Sequence, residues 1–160
     1  MADNPSLKGL DKVMQNLNKE INGIANRTVG GLIVASIIVQ RAMEKESPKT
    51  PVEFGNLRSS FFRVATDQSV GGGKGNFRGA DAGKMAADHQ AAISEMKSEL
   101  AAKRFPMLVM GFSADYAKWV HENMEVKFQR PGAGPKFFEE AINKNKPLML
   151  QAIRDYIKIN

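Results

Sequence analysis

Apolar residues recur at helical spacing from the start of the chain. Leu7, Leu10, Val13, Met14, Leu17 and Ile21 follow an i, i+3, i+7 pattern, which predicts an amphipathic helix over 6–22 with Ser6 as its N-cap. A break is expected at Asn22-Gly23. Beyond it, 24–46 reads as a longer helix whose middle, Leu32 to Val39, is apolar on nearly every side and so needs cover from more than one neighbour. The β-branched residues there also suit a buried strand, but the length of the segment and its Gln-Arg-Ala-Met-Glu-Lys-Glu ending favour helix.

The stretch Ser47-Pro-Lys-Thr-Pro-Val-Glu-Phe-Gly-Asn-Leu-Arg-Ser-Ser-Phe-Phe62 changes the pattern. Pro48 and Pro51 disfavour the α region at Ser47 and Thr50 and should stop the helix, Gly55 permits a tight reversal, and a strand is expected from Leu57 onward. Residues 67–83 are glycine-rich and read as a mobile loop or arm, because such a composition loses too much backbone entropy to form a regular element alone. Met85, Ala86, His89, Ala92, Ile93, Met96 and Leu100 restore helical spacing over 84–103, and 105–112 suits a strand.

Ser113 is placed to cap a short helix carrying Tyr116, Trp119 and Val120 on one face. Residues 124–129 alternate, as a half-buried strand or an extended arm would. Arg130 to Pro135 is a loop by composition, with Pro135 at the first position of a helix. From there to 158 the chain reads as helical, split by Pro147; the stripe Leu148, Met149, Ala152, Ile153, Tyr156 and Ile157 is expected to dock on the sheet. No internal repeat is visible.

Composition narrows the functions. The 160 residues fit one domain with its own hydrophobic core, and the absence of cysteine excludes disulfides, thiolate metal sites and cysteine nucleophiles. The amino-terminal residues lack a signal-peptide pattern, and the longest apolar run falls well short of the roughly 20 residues that span a bilayer, so no membrane association is expected. A net charge of +6, from 23 basic and 17 acidic residues, allows contact with nucleic acid or an acidic surface. The basic residues are scattered, unlike the dense basic face of a DNA reader.

Candidate chemistry is sparse. His121-Glu122 lacks the second histidine of a zinc helix, and His89 has no ligand at i+3 or i+4, so both read as packing or surface residues. Ser59 or Ser60 with His121 and Asp115 or Glu122 has the composition of a triad but no nucleophile elbow. The run from Gly71 lacks the Gly-Lys-Ser/Thr ending of a phosphate cradle, leaving Lys74 and Arg78 as candidate contacts to phosphate or to an acidic neighbour. Glu139 and Glu140 point about 100° apart on a helix and cannot act as a carboxylate pair. No catalytic residue, metal or cofactor is expected, and the chain reads as a non-enzyme.

Three segments carry a resemblance: Thr50-Pro-Val-Glu-Phe-Gly-Asn-Leu-Arg-Ser-Ser60, Ala114-Asp-Tyr-Ala-Lys-Trp-Val-His-Glu122 and Gly134-Pro-Lys-Phe-Phe-Glu-Glu-Ala141. In this order and spacing the chain resembles the HK97 gp10-like family of tailed bacteriophages over about residues 24–158. It departs from the family's pattern at Asn123-Met124, where a Gly-Thr pair is common, and in the length of 67–103. The resemblance implies an α+β domain, 1–160, with long N-terminal (6–46) and C-terminal (135–158) helices packed on an antiparallel sheet.

It also implies a structural subunit of the neck or proximal tail. Such a subunit would form a homo-oligomeric ring, with a hexamer favoured, around the DNA channel and between head-completion and tail-tube proteins, after assembly in the host cytoplasm. The motif residues are then Pro51, Gly55, Leu57, Arg58, Ser59, Tyr116, Trp119, Glu122, Pro135 and Phe137, with Lys74 and Arg78 as contacts to packaged DNA or a neighbouring subunit. Tyr116, Trp119 and Phe137 are expected chiefly as core anchors. Alternative readings are a minor capsid or head-completion protein of the same fold, or a basic nucleic-acid-binding accessory protein.

Overall fold

The structure, a computed structural model, describes residues 5–158, with side chains from residue 9 onward. The expected Ser6 cap therefore lies outside the described side chains. The first element is one uninterrupted helix, α1 (Pro5–Lys45), with no break at Gly23. One interior glycine costs about 1 kcal/mol relative to alanine, too little by itself to end a helix of this length. Over one 18-residue stretch α1 is apolar enough to cross a membrane by length and composition, with a mean hydropathy of 1.3.

The helix ends just before Pro48, as X-Pro geometry requires. After the turn at Gly55 comes a single helical turn, α2 (Asn56–Ser59), and the strand β1 (Phe61–Ala65) starts only at Phe61. The strand expected from Leu57 thus begins four residues late. The positive φ of Gly55, 84°, turns the chain into a helical turn, whose N–H groups at Ser59 and Ser60 reach back to the carbonyls of Gly55 and Asn56. The glycine-rich segment holds a two-residue strand, β2 (Val70–Gly71), paired antiparallel with β1.

The chain continues as α3 (Ala82–Ala101), β3 (Leu108–Phe112), α4 (Ala117–Glu122) and α5 (Phe137–Ile157). The sheet is antiparallel in the order β2-β1-β3, with Phe61 opposite Phe112 and Ala65 opposite Leu108. Long helices at both ends and this small sheet make an α+β fold. Residues 124–129 form no strand among the described residues, and Pro135 stands two residues before α5, whose preceding residue is Lys136 at φ 58°.

Successive β1 residues face opposite ways, and each face builds a core. Phe61 joins Val39, Met43, Leu57, Ala117, Phe137 and Ala141 between the sheet, α1 and α5, while Phe62 and Val64 pack with Ile93 and Leu100 of α3. Rings of Phe61, Phe112 and Phe137 meet edge to face at 5.5 and 5.6 Å. The sheet is thus covered on both sides.

Pro147 does not split the last helix; it lies inside α5. An interior proline forfeits one hydrogen bond and costs about 3 kcal/mol, which here is offset by packing along α1. Asn145 ties the two helices: its side-chain amide donates to the Glu46 carboxylate at 3.1 Å and to the Ala141 carbonyl at 3.0 Å. The helices run antiparallel and approach closely, since a Cβ on Gly31 would lie 2.9 Å from the Ile153 Cα. The C-terminal stripe therefore docks on α1, not on the sheet as its periodicity suggested. Periodicity specifies a buried face without naming what buries it.

Candidate functional site

The segments 50–60, 114–122 and 134–141, far apart in sequence, fold into one corner. Lys49 and Ala133 form a parallel bridge, the Lys49 N–H donates to the Gly132 carbonyl at 2.7 Å, and the Lys136 N–H donates to the His121 carbonyl at 2.8 Å. Leu57, Ala114, Ala117 and Phe137 share one core cluster. Pro51 is buried on the inner side of the turn, and Pro135 is half-buried beside the entry to α5.

Polar links lock this corner to the end of α1. Arg58 is in its own chain's ion pair: Nε donates to Glu44 Oε1 at 2.8 Å and Nη2 lies 2.7 Å from Oε2. Such two-pronged pairing fixes orientation as well as charge. Arg130 completes the arrangement, donating to the carbonyls of Thr50 and Glu44 at 2.8 Å each and lying 3.4 Å from the Glu44 carboxylate. Neither Glu44 nor Arg130 stood out in the sequence, because Glu44 sits in an ordinary charged stretch and Arg130 heads a proline- and glycine-rich loop. A carboxylate in the last helical turn, paired by two arginines distant in sequence, is visible only in three dimensions.

Ser59 and Ser60 donate their hydroxyls to the carbonyls of Asn76 and Leu57, both at 2.8 Å, while His121 Nδ1 faces Glu122 Oε1 at 2.7 Å. The serines and His121 are not brought together as a triad. Glu122 also pairs with the Lys136 ammonium. These hydrogen bonds from Lys136 and His121 hold the Glu122 carboxyl below its ordinary range, and the bond to Glu122 raises Lys136. Both groups are exposed, so the pair orients the α4 to α5 connection more than it stabilises it.

His89 is fully buried. Its Nε2 donates to the Gly73 carbonyl at 3.1 Å, its Nδ1 pairs with the Ser113 hydroxyl at 2.8 Å, and the rings of Phe62 and Phe77 meet it edge-on. Ser113 therefore spends its hydroxyl on His89 and does not cap α4, where no side-chain cap is formed. The same histidine pins the glycine-rich segment to α3, and the Asn56 side chain holds that segment's Arg78 through both backbone groups, at 2.8 and 2.9 Å. Lys74 and Arg78 point their side chains to solvent and make no salt bridge among the described residues. No three His, Asp or Glu side chains gather into a metal-sized cluster among the described residues.

Beside the corner lies an open groove of about 620 Å³. The turn from Pro51 to Leu57 forms one wall, Tyr116 with Trp119 and Val120 of α4 forms another, and the Val126 to Gln129 segment closes the side. Phe54 is 66% exposed and Trp119 60% exposed, so Trp119 is a surface aromatic and not the core anchor its spacing suggested. Tyr116 is half-covered; its phenol is raised by burial first and then by Asp115 and Glu53. Only Phe137 of the three expected anchors is buried. The i, i+3, i+4 spacing did place Tyr116, Trp119 and Val120 on one face, but α4 turns its small residue, Ala117, inward. Clustered exposed aromatics in a groove, with Glu53, Asp81, Arg78 and Lys127 around it, have the make-up of a binding surface.

No family model, curated protein or solved structure matches the chain.

Proposed function

We propose that the chain is a structural virion protein of a tailed bacteriophage, a subunit of an oligomeric ring at the neck or proximal tail end through which DNA passes. The observation that carries this reading is the convergence of the three segments resembling the HK97 gp10-like family into one hydrogen-bonded corner with an aromatic groove open beside it. A ring subunit needs a head-to-tail contact, a surface on one copy that receives a different surface of the next. The groove supplies a receiving surface, with Trp119 and Phe54 as anchors. Exposed Lys74 and Arg78 on a tethered segment suit sequence-independent contact with DNA phosphates or with a neighbouring subunit. The reading assigns no catalytic residue and no cofactor.

Native mass spectrometry on the purified chain, alone and mixed with its head-completion and tail-tube neighbours, tests the reading. Six or twelve copies support it. A chain that stays monomeric under both conditions and binds DNA with steep salt dependence favours the accessory-protein reading instead.

A further inference from the structure

The first half of α1 extends past everything that covers the second half. α5 runs antiparallel to α1 and its last turns lie against Gly30 and Gly31, and every residue from 9 to 22 is exposed. Yet Leu10, Val13, Met14, Leu17, Ile21 and Ile24 form an apolar strip there, each between 40% and 61% exposed. Half-exposed side chains of this size leave on the order of 500 Å² of apolar surface, the scale at which patches mark interaction sites.

The spacing says what kind of surface fits. Leu10, Met14, Leu17, Ile21 and Ile24 recur at 4, 3, 4, 3, and the same steps continue through Thr28, Gly31 and Ala35, where α5 covers the stripe. This is the 3.5-residue period of a helix packed along another helix. The uncovered strip is therefore a continuation of the α1/α5 seam beyond the end of α5.

We infer that this strip is covered by the same strip of a second copy, the two α1 helices lying antiparallel about a two-fold axis near Leu17. The charges fit self-pairing: over residues 9–24 there are two acids, Asp11 and Glu20, and two bases, Lys12 and Lys19, a net charge of zero in a chain of +6. A helix that lies on an anionic lipid surface carries a basic polar face, and this one does not. An antiparallel partner helix enters the space beyond the end of α5 in the direction α5 already runs. A parallel partner would have to occupy the stripe from Thr28 onward, where α5 sits. Two strips together bury about 1,000 Å², the lower end of specific interfaces.

This pairing does not rest on the virion reading. A two-fold contact joins copies in pairs, while closing a ring takes a further head-to-tail contact, so dimers without rings and rings without dimers are separate outcomes.

Sedimentation of the full chain at high micromolar concentration, with cysteine cross-linking in this cysteine-free sequence, tests the inference. The wild type sediments as a dimer, Leu17→Glu as a monomer with unchanged helical circular dichroism, and Leu17→Cys forms a disulfide-linked dimer on oxidation. Leu10→Cys cross-links efficiently only when mixed with Ile24→Cys. Should Leu17→Glu misfold, the cross-linking pattern decides. A monomeric wild type without cross-links, a dimer indifferent to Leu17→Glu, or self-cross-linking of Leu10→Cys as strong as that of Leu17→Cys overturns it. So does Leu17-dependent pelleting with phosphatidylcholine–phosphatidylserine vesicles in place of dimerisation.

Discussion

Gly55 sits at φ 84° with no atom within 4 Å of where a Cβ would lie, so its requirement is one of backbone conformation alone. Gly55→Val should destabilise the fold by about 1–2 kcal/mol, read as a lower thermal midpoint; an unchanged midpoint contradicts this account of the turn. Glu122 gives a pH signature. Its carboxyl is depressed by Lys136 and His121, so its contribution is present above the ordinary carboxylate range and is lost as pH falls through its lowered value. The stability gap between wild type and Glu122→Gln should be constant at neutral pH and close under acid conditions. A gap that persists below the carboxylate range sinks the assignment. Gly55 and Phe137 were legible from sequence because turn glycines and large apolar residues at helix starts have few alternative uses. The partner of Arg58 was not, since Glu44 lies 14 residues away on another element and only the fold brings the two together.

Helices were the most legible elements, through their periodicity, and the sheet strands nearly so. Expectation and structure part at the punctuation: Gly23 and Pro147 read as stops in sequence, yet α1 runs through Gly23 because one glycine costs too little to end it, and α5 runs through Pro147 because packing along α1 offsets the local cost. Pro147 is thus a tolerated defect on an exposed face. Pro147→Ala restores an N–H donor and should stabilise by up to about 3 kcal/mol, a rise of several degrees in thermal midpoint. A lower midpoint means that the proline is required by the helix geometry. Among the described residues the segment 124–129 alternates without a sheet partner: alternation states which residues share a face and not that a neighbouring strand exists.

On the scale of the whole molecule, the strip on the first half of α1 and the groove with Phe54, Tyr116 and Trp119 both leave clustered apolar side chains in water among the described residues. Neither was legible as a surface, because residue type and spacing are the same for a core face and for a docking face. Trp119→Ala removes little buried area, so the thermal midpoint should hardly move, while assembly of the proposed ring should be lost. Unimpaired assembly removes the groove from the contact. Labelling the subunit in intact phage particles and locating the label by electron microscopy reads out where the proposed virion protein resides. Density at the neck or proximal tail end is expected; label spread over the capsid shell, away from the neck, contradicts a place in the ring.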